Sequence, residues 1–264
     1  VLGDAGIGAF GAGLNLDEAL RPLVVSTGQQ RVAMLAFGNG PEAAADRPGV
    51  APRTSAALAK GLRRIPADVD ATVVFLHGGL EFLEIPESWT RHLVRQAIAW
   101  GADAVIGGHP HCLRGVSAVR GKPVLYGVGD FIMDTAGASY LAEHVARTAM
   151  TTMGFAIPDP LICRRSILAD LSLSEAGDVD YRIRFALVGE DFLPTEPDED
   201  ETQKLRDYLD SLSAAINELH GPSAHHLVEI ESAYRRVYER PRSVKDWMRL
   251  PLKAGGRRLR SWLA

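Results

Sequence analysis

The sequence predicts an α/β domain in which a buried sheet is layered with helices. Short apolar runs of strand length recur at residues 31–37, 71–77, 102–107 and 123–128. They are apolar at nearly every position, the mark of strands covered on both faces. Helical patterns lie between them, and strand, helix, strand in alternation is the signature of an α/β layer arrangement.

The elements follow in order. Glycines crowd residues 3–13, and Asp17, Glu18 and Ala19 read as a helix start. The run 31–37 is the first strand. Residues 54–64 form a weaker helix, with Ala57, Leu58 and Leu62 apolar. Residues 71–77 make the strongest strand, with Val73, Val74 and Phe75 adjacent. Residues 87–100 place Trp89, Leu93, Ala97 and Trp100 on one helical stripe. Pro86 and Gly101 supply the start and stop signals. Strands at 102–107 and 123–128 complete the alternation. Beyond them, 166–173 and 181–188 flank a turn at 175–178 and read as an antiparallel hairpin. Residues 203–219 and 226–239 are helical, the first carrying Leu205, Leu209, Leu212, Ile216 and Leu219 on one stripe. The acidic stretch 190–201 reads as a linker, so the expected division is 1–189, 190–201 and a helical region 202–264.

Composition bounds the function. At 264 residues, 46% apolar and 23% charged, the chain has ordinary globular composition and room for one large domain or two small ones. A formal charge of −4 argues against nucleic acid as the partner. No apolar run reaches the roughly 18 residues of a membrane span. Cys112 and Cys163 are too few for a disulfide framework, which leaves both cytoplasm and cell envelope open. Charge is uneven: residues 240–264 hold eight basic side chains and one acidic, +7, leaving −4 − 7 = −11 for the rest. Trp247 and Trp262 within this basic tail suit peripheral contact with an anionic membrane, the alternative being fold-back onto the acidic body.

Ligands in open α/β sheets gather at the C-terminal ends of strands. Two such ends carry histidine. His77 closes the strongest strand and runs into Gly78-Gly79-Leu80-Glu81, and His109-Pro110-His111 follows the next. On an extended segment an H-x-H pair points both rings the same way. Three converging imidazoles suit zinc, iron or manganese, and a metal would activate water for hydrolysis. A single histidine after a strand is more often structural; two equivalent strand ends bring ligation level with that plainer role. Glu81 and Asp130 are placed to orient a histidine or touch substrate, against the plainer role of capping loop amides. Gly11-Ala12-Gly13 lacks the Gly-Lys-Ser/Thr of a nucleotide loop. H-x-H after a strand also fits an amidohydrolase-like barrel, although the hairpin at 166–188 counts against one.

The ordered set of motifs resembles the CapA capsule-synthesis family, the poly-γ-glutamate capsule proteins of the metallophosphoesterase superfamily. The matching pieces are Gly11-Ala12-Gly13-Leu14-Asn15-Leu16-Asp17-Glu18-Ala19, Pro48-Gly49-Val50-Ala51 and His77-Gly78-Gly79-Leu80-Glu81. To these are added residues 101–111, ending Gly108-His109-Pro110-His111, and Tyr126-Gly127-Val128-Gly129-Asp130-Phe131. Gly78 stands where the family usually has tryptophan, Gly108 where histidine is frequent, and Asp130 where asparagine is usual.

The resemblance implies an α/β/β/α sandwich of which this chain is the later portion, lacking the first strands. It implies metal ligation by His77, His109 and His111, catalytic roles for His109 and Glu81, and substrate contacts at Gly79 and Asp130. It further implies two divalent ions (Mn, Fe or Zn) in the full-length protein, whose remaining ligands precede Val1. The function so implied is a metal-dependent, phosphoesterase-like hydrolase in capsule or cell-surface polymer biosynthesis, taking a polymer or phosphoester substrate. The alternative is a non-catalytic, polymer- or partner-binding component of a capsule synthesis or export machine.

Overall fold

In the computed structural model the described residues are 2–28, 30–81, 83–132, 162–189 and 193–217. They belong to one unit made of two stretches of chain, 1–132 and 162–218. In chain order the elements are β1 (Ala12–Gly13), α1 (Leu16–Ala19), β2 (Leu23–Thr27), β3 (Gln30–Gly38), β4 (Gly49–Val50), α2 (Ser55–Leu62), β5 (Ala71–His77), α3 (Ser88–Ala99), β6 (Ala104–Gly108), β7 (Leu113–Val119) and β8 (Lys122–Val128). After these come β9 (Arg165–Leu173), β10 (Val179–Val188), β11 (Pro194–Thr195) and α4 (Glu199–Asn217).

The class is α/β, as the alternation requires. A six-stranded mixed sheet runs in the order β2-β3-β5-β6-β8-β7. Its centre, β3-β5-β6-β8, is parallel, and β2 and β7 are antiparallel edges. Because β3, β5 and β6 pair in register at Gly38, His77 and Gly108, their C-terminal ends stop on one line. That alignment positions the site.

Alternate residues of β8 divide between two cores, Val124 and Tyr126 in one and Leu125 in the other. Leu35, Phe37, Val74, Leu76, Val105, Val124 and Tyr126 pack with Leu58 and Leu62 of α2 and Leu93, Val94, Ala97 and Ile98 of α3. Thr54 caps α2, its hydroxyl accepting from the Ala57 amide at 3.2 Å. In α3 the buried face is Thr90, Leu93, Val94, Ala97 and Ile98, whereas Trp100 is exposed. The stripe read from the sequence is therefore turned by part of a helical turn, since Thr90 and Val94, not the two tryptophans, face the sheet.

On the other side Leu113, Val116 and Leu125 meet Ile167 and Phe185 of β9 and β10 and Leu205, Leu209 and Leu212 of α4. The predicted hairpin is present, its turn closed by Gly177 at φ +82°. A second hairpin escapes the periodicity reading: β7 and β8 are joined by Arg120-Gly121, both at positive φ, the geometry of a two-residue primed turn.

The acidic stretch is not merely a linker. Pro194–Thr195 adds β11 to β10, and Asp198 caps the start of α4 by accepting from the Glu201 amide at 2.8 Å. Glu199, Asp200 and Glu201 then occupy its first turn, where the helix dipole favours negative charge. This helix packs on β7: the Val116 amide donates to Ser213 Oγ at 2.9 Å, and a Cβ on Gly115 would lie 2.5 Å from the Ser213 nitrogen. Residues 199–217 therefore pack with the α/β layers. The predicted helix 226–239 and the basic tail lie outside the described residues. Among the described residues no helix is long and apolar enough to cross a membrane.

Candidate metal centre

Parallel pairing brings the two histidine-bearing strand ends together. The Gly78 amide donates to the Gly108 carbonyl and the Asn39 amide to the His77 carbonyl, each at 3.0 Å. The ring centres of His77 and His109 are 5.1 Å apart, and those of His109 and His111 are 5.7 Å apart. The segment carrying the last two is not extended, contrary to expectation. His109 and His111 sit at φ +94° and +57°, left-handed values rare for side chains with a Cβ. A tight loop, not strand alternation, puts both rings on one side, and backbone strain of this kind concentrates at functional sites.

Among the described residues, Glu81, His109 and His111 form a group that could hold one ion, their ligand atoms lying within 4.8 Å of one another. Two donors on one ion with bonds of about 2.1 Å are at most about 4.2 Å apart, so small side-chain adjustments suffice. Two imidazoles and a carboxylate suit zinc, manganese or iron. Glu81, for which the family resemblance implies a catalytic role, is the carboxylate of this group, its Oε1 3.9 Å from His109 Nε2. His77 stands beside the group, edge-on to His109.

Electrostatics prepares the site for a cation. Burial, with the neighbouring His77 and His111 and the charges of Arg53 and Arg114, lowers His109 to about 4. His77 is lowered too, by desolvation against its neighbours, by His111 and by Arg53. Both rings are neutral at pH 7, with lone pairs available. His111 moves the other way, chiefly through its hydrogen bond to Asp130. Its Nδ1 faces both carboxylate oxygens of Asp130 at 3.0 Å. An Nδ1–H donating there leaves Nε2 for a metal, the arrangement by which carboxylates orient ligating histidines.

The two expected substrate contacts have other engagements. Asp130 holds His111. Gly79, at φ +122°, has its Cα against the Glu87 carboxylate, and a Cβ would lie 2.8 Å from Glu87 Oε1. Five polar residues beneath the site were not singled out in the sequence. Arg114 and Glu87 form an ion pair with both side chains fully buried. Glu87 Oε2 accepts from Thr90 Oγ1, which accepts from Arg53 Nη1, while Arg53 Nε donates to Asn39 Oδ1. The available signal was Arg114 itself, a cation inside the buried run that follows His111.

Comparison with known proteins adds family and limits. The chain is 30% identical over 129 residues to the PGA biosynthesis protein CapA of Bacillus subtilis, covering 47% of this chain and 34% of that protein. It is 26% identical over 139 residues to the capsule biosynthesis protein CapA of Bacillus anthracis, covering 50% and 34%. A probable polyglutamine synthesis accessory protein of Mycobacterium tuberculosis is 29% identical over 174 residues, covering 60% and 45%. The chain thus spans about a third of the two CapA relatives. A novel phosphatase from Mycoplasma pneumoniae overlays at TM-score 0.41 and 9% identity, covering 67% of this chain and 58% of that one. A hypothetical protein from Thermus thermophilus overlays at TM-score 0.38 and 14% identity, covering 62% of this chain and 61% of that one. Residues 1–135, just over half of the 264, match the family described as bacterial capsule synthesis protein PGA_cap, and the chain belongs to that family.

Proposed function

We propose that the protein is a metal-dependent, phosphoesterase-like hydrolase acting in capsule or cell-surface polymer biosynthesis, to which this chain contributes the histidine cluster. The observation that carries the reading is the convergence of Glu81, His109 and His111 at the ends of two parallel strands. A divalent ion held by these three would polarise a phosphoryl oxygen and lower the pKa of bound water towards about 7. The chain's own groups divide the remaining work. His109, neutral until the pH falls to about 4, is suited to ligation rather than to delivering a proton. Asp130 fixes the ring of His111 and the nitrogen that carries its proton. Glu81 supplies the negative charge that offsets the cation. Membership of the capsule synthesis family, with relatives named for PGA and capsule biosynthesis, supports an anionic surface polymer or its phosphoester precursor as the substrate class.

The test is metal content and turnover in the natural full-length protein. Manganese or zinc should co-purify or titrate in, with hydrolysis of a generic phosphodiester. His109→Ala, His111→Ala and Glu81→Ala should each lose both. Equal metal content in wild type and all three variants would overturn the reading. Metal binding without turnover would favour the non-catalytic, polymer-binding role instead.

A further inference from the structure

Arg114 is the largest fully buried side chain among the described residues, and its partner Glu87 is equally inaccessible. A buried charge pair is a poor source of stability, because desolvating both ions offsets their attraction. Its hydrogen bonds here are not local. Arg114 belongs to β7, three residues beyond His111, yet it reaches across to the loop after His77. Its Nη2 donates to the Leu80 carbonyl at 2.9 Å and its Nε to the Leu83 carbonyl at 2.7 Å. Nη1 and Nη2 donate to Glu87 Oε2 and Oε1 at 3.1 and 3.0 Å. Glu87 Oε1 in turn accepts from the Leu80 amide. The Leu80 amide and carbonyl and the Leu83 carbonyl, which flank Glu81 in the loop, are therefore held by one rigid guanidinium–carboxylate unit. From α4, Tyr208 donates to Glu84 in the same loop.

We propose that Glu87 and Arg114 are positioning residues for the metal centre, a buried strut that locks the loop bearing Glu81 to the strand following His109 and His111. The inference rests on the metal-centre reading above and deepens it. A planar, five-donor guanidinium explains why arginine is used: lysine could not bridge two carbonyls and a carboxylate in one plane. Gly79 follows from the same unit, since a side chain there would strike the carboxylate.

Substitutions that merely break the pair leave a buried charge and risk unfolding, whereas an apolar pair of similar volume is commonly tolerated. The test therefore uses Glu87→Leu/Arg114→Met, with Glu87→Gln/Arg114→Met as the variant that keeps an acceptor without leaving a buried charge. Amide hydrogen exchange of residues 80–83 and Mn²⁺ affinity are read alongside thermal melting. In folded Glu87→Leu/Arg114→Met, exchange at Leu80, Glu81 and Leu83 should accelerate at least tenfold while β5 and β6 amides hold. Mn²⁺ affinity should fall by about 10–100-fold, the range for lost support of ligands. Glu87→Gln/Arg114→Met, which keeps an acceptor for the Leu80 amide, should lie between. A pair that served only stability would lower the melting temperature and leave the affinity of folded protein unchanged. Wild-type exchange and affinity in Glu87→Leu/Arg114→Met overturn the strut. A loosened loop in a protein whose wild type binds no Mn²⁺ would overturn the metal reading while upholding the clamp.

Discussion

The opposed shifts of three neighbouring histidines make the site's charge state predictable residue by residue. His109 titrates at about 4 in the folded protein and near 6.5 unfolded, so between those values the unfolded chain binds the extra proton. Its contribution to stability is therefore full above pH 6.5 and is lost on acidification towards 4, by up to about 3 kcal/mol at full effect. His77 acts in the same direction. His111, raised, contributes below 6.5 and loses that contribution as pH rises through its folded value. Glu87, which burial would raise, is held below the ordinary carboxylate range by Arg114, so its share is present above about 4.5 and disappears at lower pH. Urea unfolding of metal-free protein should show a midpoint that falls from pH 6.5 to 4.5, and His109→Gln should flatten that fall; an unchanged slope would contradict it. Asp130→Asn removes the anion from His111 Nδ1 and should weaken Mn²⁺ binding about tenfold or more by titration calorimetry.

Elements meet at glycines whose tolerance differs for stated reasons. Gly129 follows β8 at φ +74°, and a Cβ there would lie 2.2 Å from the Arg165 carbonyl oxygen of β9. Gly121, at the tip of the β7–β8 hairpin, has φ +78° with open space around it. Gly129→Ala should therefore cost about 2 kcal/mol or more, through strain plus backbone displacement, and Gly121→Ala only about 1 kcal/mol. Paired thermal melts check the ordering. The same contrast separates what patterning reveals from what it conceals. Ala71–His77 was legible to the residue, because all of its side chains but Phe75 and His77 are buried and apolar runs report burial. β2, with Val25, Ser26 and Thr27 exposed, offers no such run and was missed.

At the scale of the molecule, one core cluster joins the six-stranded sheet, the β9–β10 hairpin and α4. Leu125→Ala and Leu209→Ala should each cost about 2–5 kcal/mol, and their combination should depart from additivity because they share that cluster. A double-mutant cycle by urea unfolding measures the coupling, and strict additivity would separate α4 from the sheet. By itself the sequence determined the α/β class, the strands that end at His77 and just before His109, and the family. Burial periodicity and strand-end motifs are local properties, written within a few consecutive residues. Tertiary structure alone decided the strand order, the left-handed loop that turns His111 towards His109, and the approach of the Glu81 carboxylate to both rings. It also decided that Arg114 and Glu87, 27 positions apart, neutralise one another beneath the site. A charged residue reads locally as solvated, and only the fold brings the opposite charge that lets it leave water.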